Sequence, residues 1–435
     1  MEYHDAVKQK LNSLIAQMSS THECFVKNPG KDFIRNRKLS FETMIKLLIS
    51  MGGNSLSKEL LEAHGYKLNT PTTSAFVQQR DKILPSALKF LFEKFTDSAA
   101  ANKRYNGYKL LAFDGTDLRI AADTDNPDNY FRDYTDKTGY GLLQFNAMYD
   151  LLNRVYVDTC IQAGRYMNEN KALTTVVDQS RIDDKVIVIG DRGYESYNNM
   201  AHIEKKGWKY LIRVKDTGGG IQSGLPIHGT DEFDASIHKI LTRKFAEFKE
   251  NPDLYRYIAN GTKLDFMDKV NSPHFQIIFR IVRFKITEDS YETVITNLAT
   301  SDFPPEELKK LYNLRWGIET AFRELKYTIG LLNFHAKKED YIMQEIYSRM
   351  IMYNFSEIII SNVIVARRTG NKHSYQVNFT VATHVCRRFL RCRSNSPPLN
   401  VKALICKNIL PLRPGRQAVR RKYNRKVVSF TYRVA

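Results

Sequence analysis

Cysteine is scarce in this 435-residue chain, which has five: Cys24, Cys160, Cys386, Cys392 and Cys406. Five scattered thiols cannot build a disulfide framework, and their odd number suits the reducing cytoplasm. His384, Cys386 and Cys392 form H-x-C-x5-C, which lacks the closely paired spacing of a zinc site. They read as packed side chains rather than ligands. Long apolar runs are missing as well. The nearest, over residues 358–366, is shorter than the ~18 residues a membrane span needs. The opening Met-Glu-Tyr-His-Asp is acidic and polar, which argues against a signal peptide. The pattern G-x4-G-K-[ST] is absent, so Gly218-Gly219-Gly220 reads as a linker and not a phosphate cradle. No internal repeat is visible.

What is present is ordinary globular material with an excess of positive charge. Hydrophobic residues make up 43% and charged residues 26%, which excludes wholesale disorder. The length fits about two to four domains. Lys and Arg number 66 against 47 Asp and Glu, for a net charge of +19. Residues 401–435 carry ten basic side chains and no acidic one. Within them, Arg420-Arg421-Lys422-Tyr423-Asn424-Arg425-Lys426 suits phosphate, because each neutralised phosphate releases condensed counterions. A solubilising tail or a membrane-surface patch is the plainer alternative; the tail has no strong apolar face for a bilayer. Arg387, Arg388, Arg391 and Arg393 form a second basic cluster just upstream.

Residues 1–100 read as helical. Apolar spacing predicts a helix over 39–51, ended by Gly52-Gly53, then short helices over 55–63 and 72–83. Ser74, Gln78, Gln79, Arg80 and Lys82 would give the last of these a polar, basic surface, resembling the second helix of a helix-turn-helix. Such pairs are also common in purely structural helical folds. From residue 107 the pattern turns to strands: 108–113, 142–149, 154–161, 185–190 and 208–214, with helices over 168–180 and 196–206. That order implies a mixed sheet with helices packed on it. Residues 240–296 alternate apolar and polar as an antiparallel insertion would. Pro304-Pro305 opens a helix through Gly330, and a further helix spans 340–367 with a wide apolar face.

Two acidic residues stand directly after buried strand patterns: Asp114 in Leu-Leu-Ala-Phe-Asp-Gly-Thr-Asp and Asp191 in Val-Ile-Val-Ile-Gly-Asp-Arg-Gly-Tyr. Carboxyl ends of strands in α/β sheets open onto crevices where ligands bind. Gly115 and Gly193 beside them permit close approach, although an Asp after a strand also serves as a turn residue or cap. Asp117 competes with Asp114, but three residues along a strand the two face opposite ways, so only one joins a site. Asp114 is the choice, being nearer the buried run. A third carboxylate lies on the helix after Pro305. Tyr312, Arg315, Glu319 and Lys326 fall within a sector of about 60° at ~100° per residue. An i,i+4 ion pair explains Arg315 with Glu319 but leaves Tyr312 and Lys326 sharing the stripe unexplained.

The segment Tyr312-Asn-Leu-Arg315-Trp316-Gly-Ile-Glu319-Thr-Ala-Phe-Arg-Glu-Leu-Lys326 matches Tyr-x2-Arg-x3-Glu-x6-Lys in full. With Phe113-Asp114-Gly115-Thr116 and Gly190-Asp191-Arg192-Gly193-Tyr194, it resembles the DDE transposases of bacterial insertion sequences, in the family-four branch marked by that pattern. The resemblance covers residues 105–360. It implies an RNase H-like α/β core, a mixed sheet interrupted by an antiparallel β insertion, with Asp114, Asp191 and Glu319 as catalytic, metal-binding triad. It implies divisions at 1–104 (helical, DNA-binding), 105–216 (first part of the core), 217–298 (insertion), 299–367 (last part of the core) and 368–435 (helical, basic).

Three gathered carboxylates repel one another unless a cation neutralises them, and hard oxygen ligands favour Mg²⁺ or Mn²⁺. Two such ions can promote in-line displacement: water cutting the phosphodiester at a transposon end, then the freed 3′-OH attacking target DNA. As the resemblance implies, Tyr312, Arg315 and Lys326 would hold DNA phosphates near the cut end, a task that suits Arg and Lys. Trp316 would either stack on an extruded base or pack, and Arg192 would touch phosphate or form a surface ion pair. Glu324 and Glu195 are decoys by position, while Tyr194 and Trp208 read as core. The resemblance further implies terminal inverted repeats as the bound DNA, a homodimer on DNA, and a cytoplasmic, nucleoid-associated protein. Two other readings remain: a repurposed copy that binds transposon ends without cutting, and a repair or RNA-directed nuclease, which leaves the Tyr-Arg-Glu-Lys stripe unexplained.

Overall fold

A computed structural model of the chain describes residues 2–35, 37–132, 139–215, 220–225, 231–268, 272–288, 290–364, 374–392 and 397–412. Five helices come first: α1 (Tyr3–Ser20), α2 (Phe41–Ser50), α3 (Leu56–Ala63), α4 (Thr73–Arg80) and α5 (Pro85–Ala99). Their starts follow local chemistry. Ser40 and Thr72 accept from the amides of Thr43 and Ala75, capping α2 and α4. Pro85 sits in the first turn of α5, where its missing N–H costs nothing.

The sheet then forms in chain order: β1 (Lys109–Ile120), β2 (Tyr130–Phe131), β3 (Tyr140–Asp150), β4 (Val155–Ala163), α6 (Glu169–Gln179), β5 (Val186–Gly190), α7 (Tyr197–Lys205) and β6 (Lys209–Arg213). β1 lies at the centre, antiparallel to β3 and parallel to β5, with β6 parallel beyond β5. This mixed, helix-covered sheet is the RNase H-like core the sequence implied. Every residue of β5 is buried, as expected of a strand covered on both faces. One face packs on α6 and α7 through Leu111, Phe113, Val186 and Val188. The other carries Leu110, Ala112, Ile187 and Ile189 towards the C-terminal helices.

The next segment extends this sheet instead of standing apart from it. It comprises β7 (Phe233–Thr242), α8 (Phe245–Glu250), β8 (Tyr255–Tyr257), β9 (His274–Thr287) and β10 (Ser290–Thr296). β10 pairs antiparallel with β6 and so covers what would be an open edge. β7, β9 and β10 are antiparallel neighbours, while β8 runs parallel to β7. Gly218 and Gly219 lie outside the described residues.

The chain continues through α9 (Pro305–Leu314), α10 (Trp316–Arg323), a π-helical turn at Glu324–Ile329, α11 (Glu339–Ile360), β11 (Tyr375–Val377), α12 (Phe379–Arg391), α13 (Val401–Lys407) and β12 (Ile409–Pro411). The single helix expected from Pro305 to Gly330 is therefore interrupted. Arg315 joins α9 to α10 through a tight i→i+3 bond to the Tyr312 carbonyl, and the last turn widens. α11 is buried over almost its whole length instead of along one face, which marks it as a central core helix. Among the described residues no helix is long and apolar enough to cross a membrane.

A helix buried on all sides must bury its polar groups too, and α11 pairs them. Arg80 donates to Gln344 Oε1 (2.9 Å), Glu345 Oε1 (2.8 Å) and the Tyr341 carbonyl (2.5 Å). Burial works to raise the Glu345 pKa, but Arg80, His335 and Arg349 hold it well below the usual carboxylate range. The expectation that Gln79 and Arg80 lie on the outer surface of α4 is thus overturned: both are buried, Arg80 where α4 meets α11. Arg391 likewise pairs with Glu59 and Glu62, and Arg387 donates to the Ile329 carbonyl, so these two arginines tie helices together. Arg393, residues 365–367 of the helix expected over 340–367, and the basic stretch holding Arg420, Arg421 and Lys422 lie outside the described residues.

Removing one partner of a buried pair leaves an uncompensated charge, at a cost of roughly 3–5 kcal/mol. Arg80→Ala is expected to lose that much in urea unfolding, whereas Lys46→Ala, which breaks the exposed pair with Glu42, loses about 0–1 kcal/mol. Equal losses would contradict the structural role of Arg80.

Candidate active site

β1 runs on to Ile120, so Asp114 lies within a strand and not just after one. The strand pattern was read as ending at Phe113 because the polar stretch after it resembles a turn. In fact β1 stays paired with β3 through Ile120 while its pairing with β5 stops at Ala112 and Ile189. Asp114 and Asp191 each follow the last β1–β5 pair by two residues, and they are near enough for the Asp191 charge to raise the Asp114 pKa. Asp191 turns out of its strand as the cap of a short 3₁₀ turn, its Oδ1 accepting from the Gly193 amide at 2.8 Å.

Alternation along β1 separates the remaining groups. Asp114 and Thr116 share the face of Ala112, towards α10, and Lys326 from the π turn donates to Thr116 Oγ1. Gly115 and Asp117 take the opposite face, towards the start of α6, where Glu169 stands. Helix rotation at a strict 100° per residue does not survive the break at Arg315 and the wider last turn. Arg315 nevertheless acts on Asp114 and Lys326 reaches Thr116, both on β1, while Glu319 is bonded to Arg315.

Burial dominates the electrostatics. It pushes the Asp114 carboxyl up to about 7; the Gly115 amide opposes this, the Asp191 charge adds to it, Arg315 opposes it and Glu169 adds again. The Arg315 guanidinium is buried and bonds Glu319 Oε1 at 2.8 Å. Burial lowers its pKa, but Tyr312, Glu319 and Asp114 more than restore it, so it stays charged. Burial also lowers the Lys326 ammonium, against the pull of Asp117 and Asp114.

Each expected residue among the described ones has a definite place. Asp114, Asp191, Arg315 and Lys326 come together, and Glu319 joins through Arg315. Tyr312 is buried under the Arg315 guanidinium, with its hydroxyl unpartnered among the described residues. Trp316 is 55% exposed, its ring 5.2 Å from the Arg315 guanidinium carbon, so the packing alternative fails. Arg192 is exposed beside Asp191. Glu324 bonds Tyr353 and Glu195 accepts from the Lys215 and Ile221 amides, both away from the triad. Tyr194 and Trp208 are buried.

The donor set suits a hard divalent cation, being all oxygen and short of positive charge. Among the described residues, no three Asp, Glu, His or Cys side chains already surround one point. Glu319 is held by Arg315, which occupies the place of a neutralising charge. A carboxylate that composition and motifs did not signal, Glu169, belongs to the same cluster: burial raises its pKa, and the charges of Asp191 and then Asp117 raise it further. Its only local signature is Asn168, whose side chain caps α6.

A carboxylate within β1 and another just past the end of β5, with Arg315 from the helical segment acting on the first and bonding Glu319, define a carboxylate-centred site on an RNase H-like sheet. The chain belongs to the transposase DDE domain family, whose model matches residues 105–355. That makes it a DDE transposase in the general sense, a class that acts on DNA with divalent metal ions. No curated protein matches the chain. A cryo-EM structure of the piggyBac transposase synaptic complex with hairpin DNA is similar over 95% of this chain and 84% of that one. The identity is 11% and the TM-score 0.42, too distant for any residue to be carried across.

Asp114 and Glu169 both have folded pKa values above their ordinary ones, so their contribution to stability is full at low pH and is lost as pH rises through the folded values. In EDTA, the melting temperature is expected to fall as pH rises from about 4 through about 7. Asp114→Asn should flatten that fall; an unchanged slope would mean that Asp114 is not the group that titrates.

Proposed function

We propose that this protein is the transposase of a bacterial insertion sequence: it binds terminal inverted repeats, cuts at the transposon ends and joins each 3′-OH to target DNA. The observation that carries this reading is the gathering of these groups: the charges of Asp191 and Arg315 both act on Asp114, and Arg315 bonds Glu319. Asp114, Asp191 and Glu319 would hold two Mg²⁺ or Mn²⁺ ions, with Glu319 leaving Arg315 to do so. Bound, such ions supply Lewis-acid activation of the attacking oxygen and neutralise charge on the leaving one.

The protein's own groups do the positioning. Arg315, freed from Glu319, offers a planar fork to a DNA phosphate, and Lys326 offers a point charge beside the first aspartate. Tyr312 shapes the floor under Arg315. Trp316, exposed next to that guanidinium, is placed to stack on a base near the cut end. Arg192 would add a phosphate contact next to Asp191. In the first step water attacks the end phosphodiester and the 3′ oxygen departs with a proton; in the second, that 3′-OH attacks a target phosphodiester, forming a new 3′-O–P bond as the target's own 3′ oxygen leaves and takes the proton.

Grip on DNA would come from elsewhere in the chain. Residues 1–104 are the proposed end-binding part. α4 exposes Ser74, Val77 and Gln78, and beside it Lys31, Arg35, Arg37 and Lys82 line one hollow of about 320 Å³. The residues around Arg420, Arg421 and Lys422 would add salt-sensitive, sequence-independent contacts. A homodimer would bring two ends together.

The purified chain with Mg²⁺ is expected to cleave a labelled duplex of its element's end, and Asp191→Ala to abolish cleavage while binding persists. Cleavage retained in that variant would overturn the triad. Equal end binding with no cleavage by the wild type, in Mg²⁺ or Mn²⁺, would identify a repurposed DNA-binding protein.

A further inference from the structure

Glu169 opens α6 on the β1 face opposite Asp114, outside the three motifs. Its two oxygens point at the glycines that follow the two aspartates. A Cβ placed on Gly115 would stand 3.0 Å from Glu169 Oε1, and one on Gly193 would stand 3.8 Å from Glu169 Oε2. The Asp-Gly of the first motif and the Asp-Arg-Gly of the second thus both leave room for the same carboxylate. Gln144 Nε2 donates to Glu169 Oε1 at 3.0 Å and fixes its orientation.

Asn146 supplies an independent observation. It is fully buried, and its Nδ2 donates to the Cys160 carbonyl at 3.1 Å and to Gln162 Oε1 at 3.3 Å. A backbone carbonyl only accepts, so the amide cannot be turned round, and Oδ1 must face the other way. There it has no partner among the described residues. It lies 2.5 Å from the Cβ position of Gly115, on the same side as the Glu169 carboxylate. A buried amide oxygen beside a carboxylate is an all-acceptor corner, and buried acceptors in native proteins find partners. Asp191 on the neighbouring chain adds a further acceptor. Carboxylate and amide oxygens together are the donor chemistry of Mg²⁺ and Mn²⁺, which keep several waters besides.

We infer that Glu169 is a fourth acidic ligand of the cation site, binding one divalent ion together with Asp191 and the side-chain oxygen of Asn146. Asp191 would then be shared between an ion on the Asp114 side of β1 and an ion on the Glu169 side. The assignment rests on the proposed cation-dependent centre, but it adds a ligand that the Asp-Asp-Glu pattern does not contain. It also gives Asn146 and both motif glycines a common purpose.

The test is Mn²⁺ binding to the full chain without DNA, followed by electron paramagnetic resonance of free ion and by the Mn²⁺-induced rise in melting temperature. Glu169→Gln is expected to raise the Mn²⁺ concentration for half-saturation of one ion by about tenfold or more, since ligand charge sets affinity in such sites. Asn146→Asp, which puts a carboxylate where the orphaned oxygen stands, is expected to bind Mn²⁺ at least as tightly as the wild type. Asp191→Asn is the reference. If it weakens Mn²⁺ binding while Glu169→Gln leaves the binding curve unchanged, the Glu169 assignment is overturned and the proposed function stands. If neither changes the curve, the cation centre itself is wrong. If Asn146→Asp lowers the melting temperature equally with and without Mn²⁺, Asn146 serves packing only and the site as drawn is overturned.

Discussion

The structure turns on the parallel pairing of β1 with β5. Both strands are buried on their two faces, so their register is held by packing as well as by the hydrogen-bond ladder. Just beyond that pairing lie Asp114 and Asp191, and burial makes the negative charge of Asp114 costly. Much of the surrounding architecture answers that charge. The helical segment after Pro305 lays Arg315 and Lys326 over the pair, the Gly115 amide bonds Asp114, and the Gly193 amide bonds Asp191.

The overlying helices can be placed accurately because α11 anchors them. It is a buried rod: Arg80 of α4 answers its Gln344 and Glu345, its Arg349 reaches the carbonyls of Met51 and Gly52, and beside it Arg391 of α12 pairs with Glu59 of α3. The same charges that the composition counts as part of +19 are in these cases internal fasteners. Net charge therefore overstates what remains for a polyanionic partner among the described residues, and the hollow beside α4 and the exposed Trp316 and Arg192 become notable outer features.

How far the site was legible can be judged residue by residue. Asp114, Asp191 and the Arg315–Glu319 pair were found from strand patterns, flanking glycines and helical spacing, all of which are local signals. The length of β1 was misjudged because Gly-Thr-Asp looks like a turn when its partner β3 is unknown. Arg80 was read as a surface residue because charge is normally exposed, and only the neighbouring Glu345, 265 residues away in sequence, explains its burial. Trp316, next to Arg315 in the motif, allows stacking or packing from its sequence position, and only the fold shows it exposed. Glu169 carries no local mark beyond a capped helix start, and nothing in its own neighbourhood predicts two glycines from separate strands beside it.

What the sequence determined by itself was the set of elements and the chemistry available: buried strands, a central apolar helix, two Asp-Gly-type turns of phrase, and the Tyr-x2-Arg-x3-Glu-x6-Lys segment. These depend on periodicity and on the conformational needs of single residues, which act over a few positions. Only the tertiary structure decided which carboxylates share a site and which cations serve them. Coulomb energy depends on distance and on burial, and both are set by strand register and helix packing between segments far apart in the chain. That is why Asp117 is separated from Asp114 by the plane of the sheet, and why Glu169 is gathered in from a different helix.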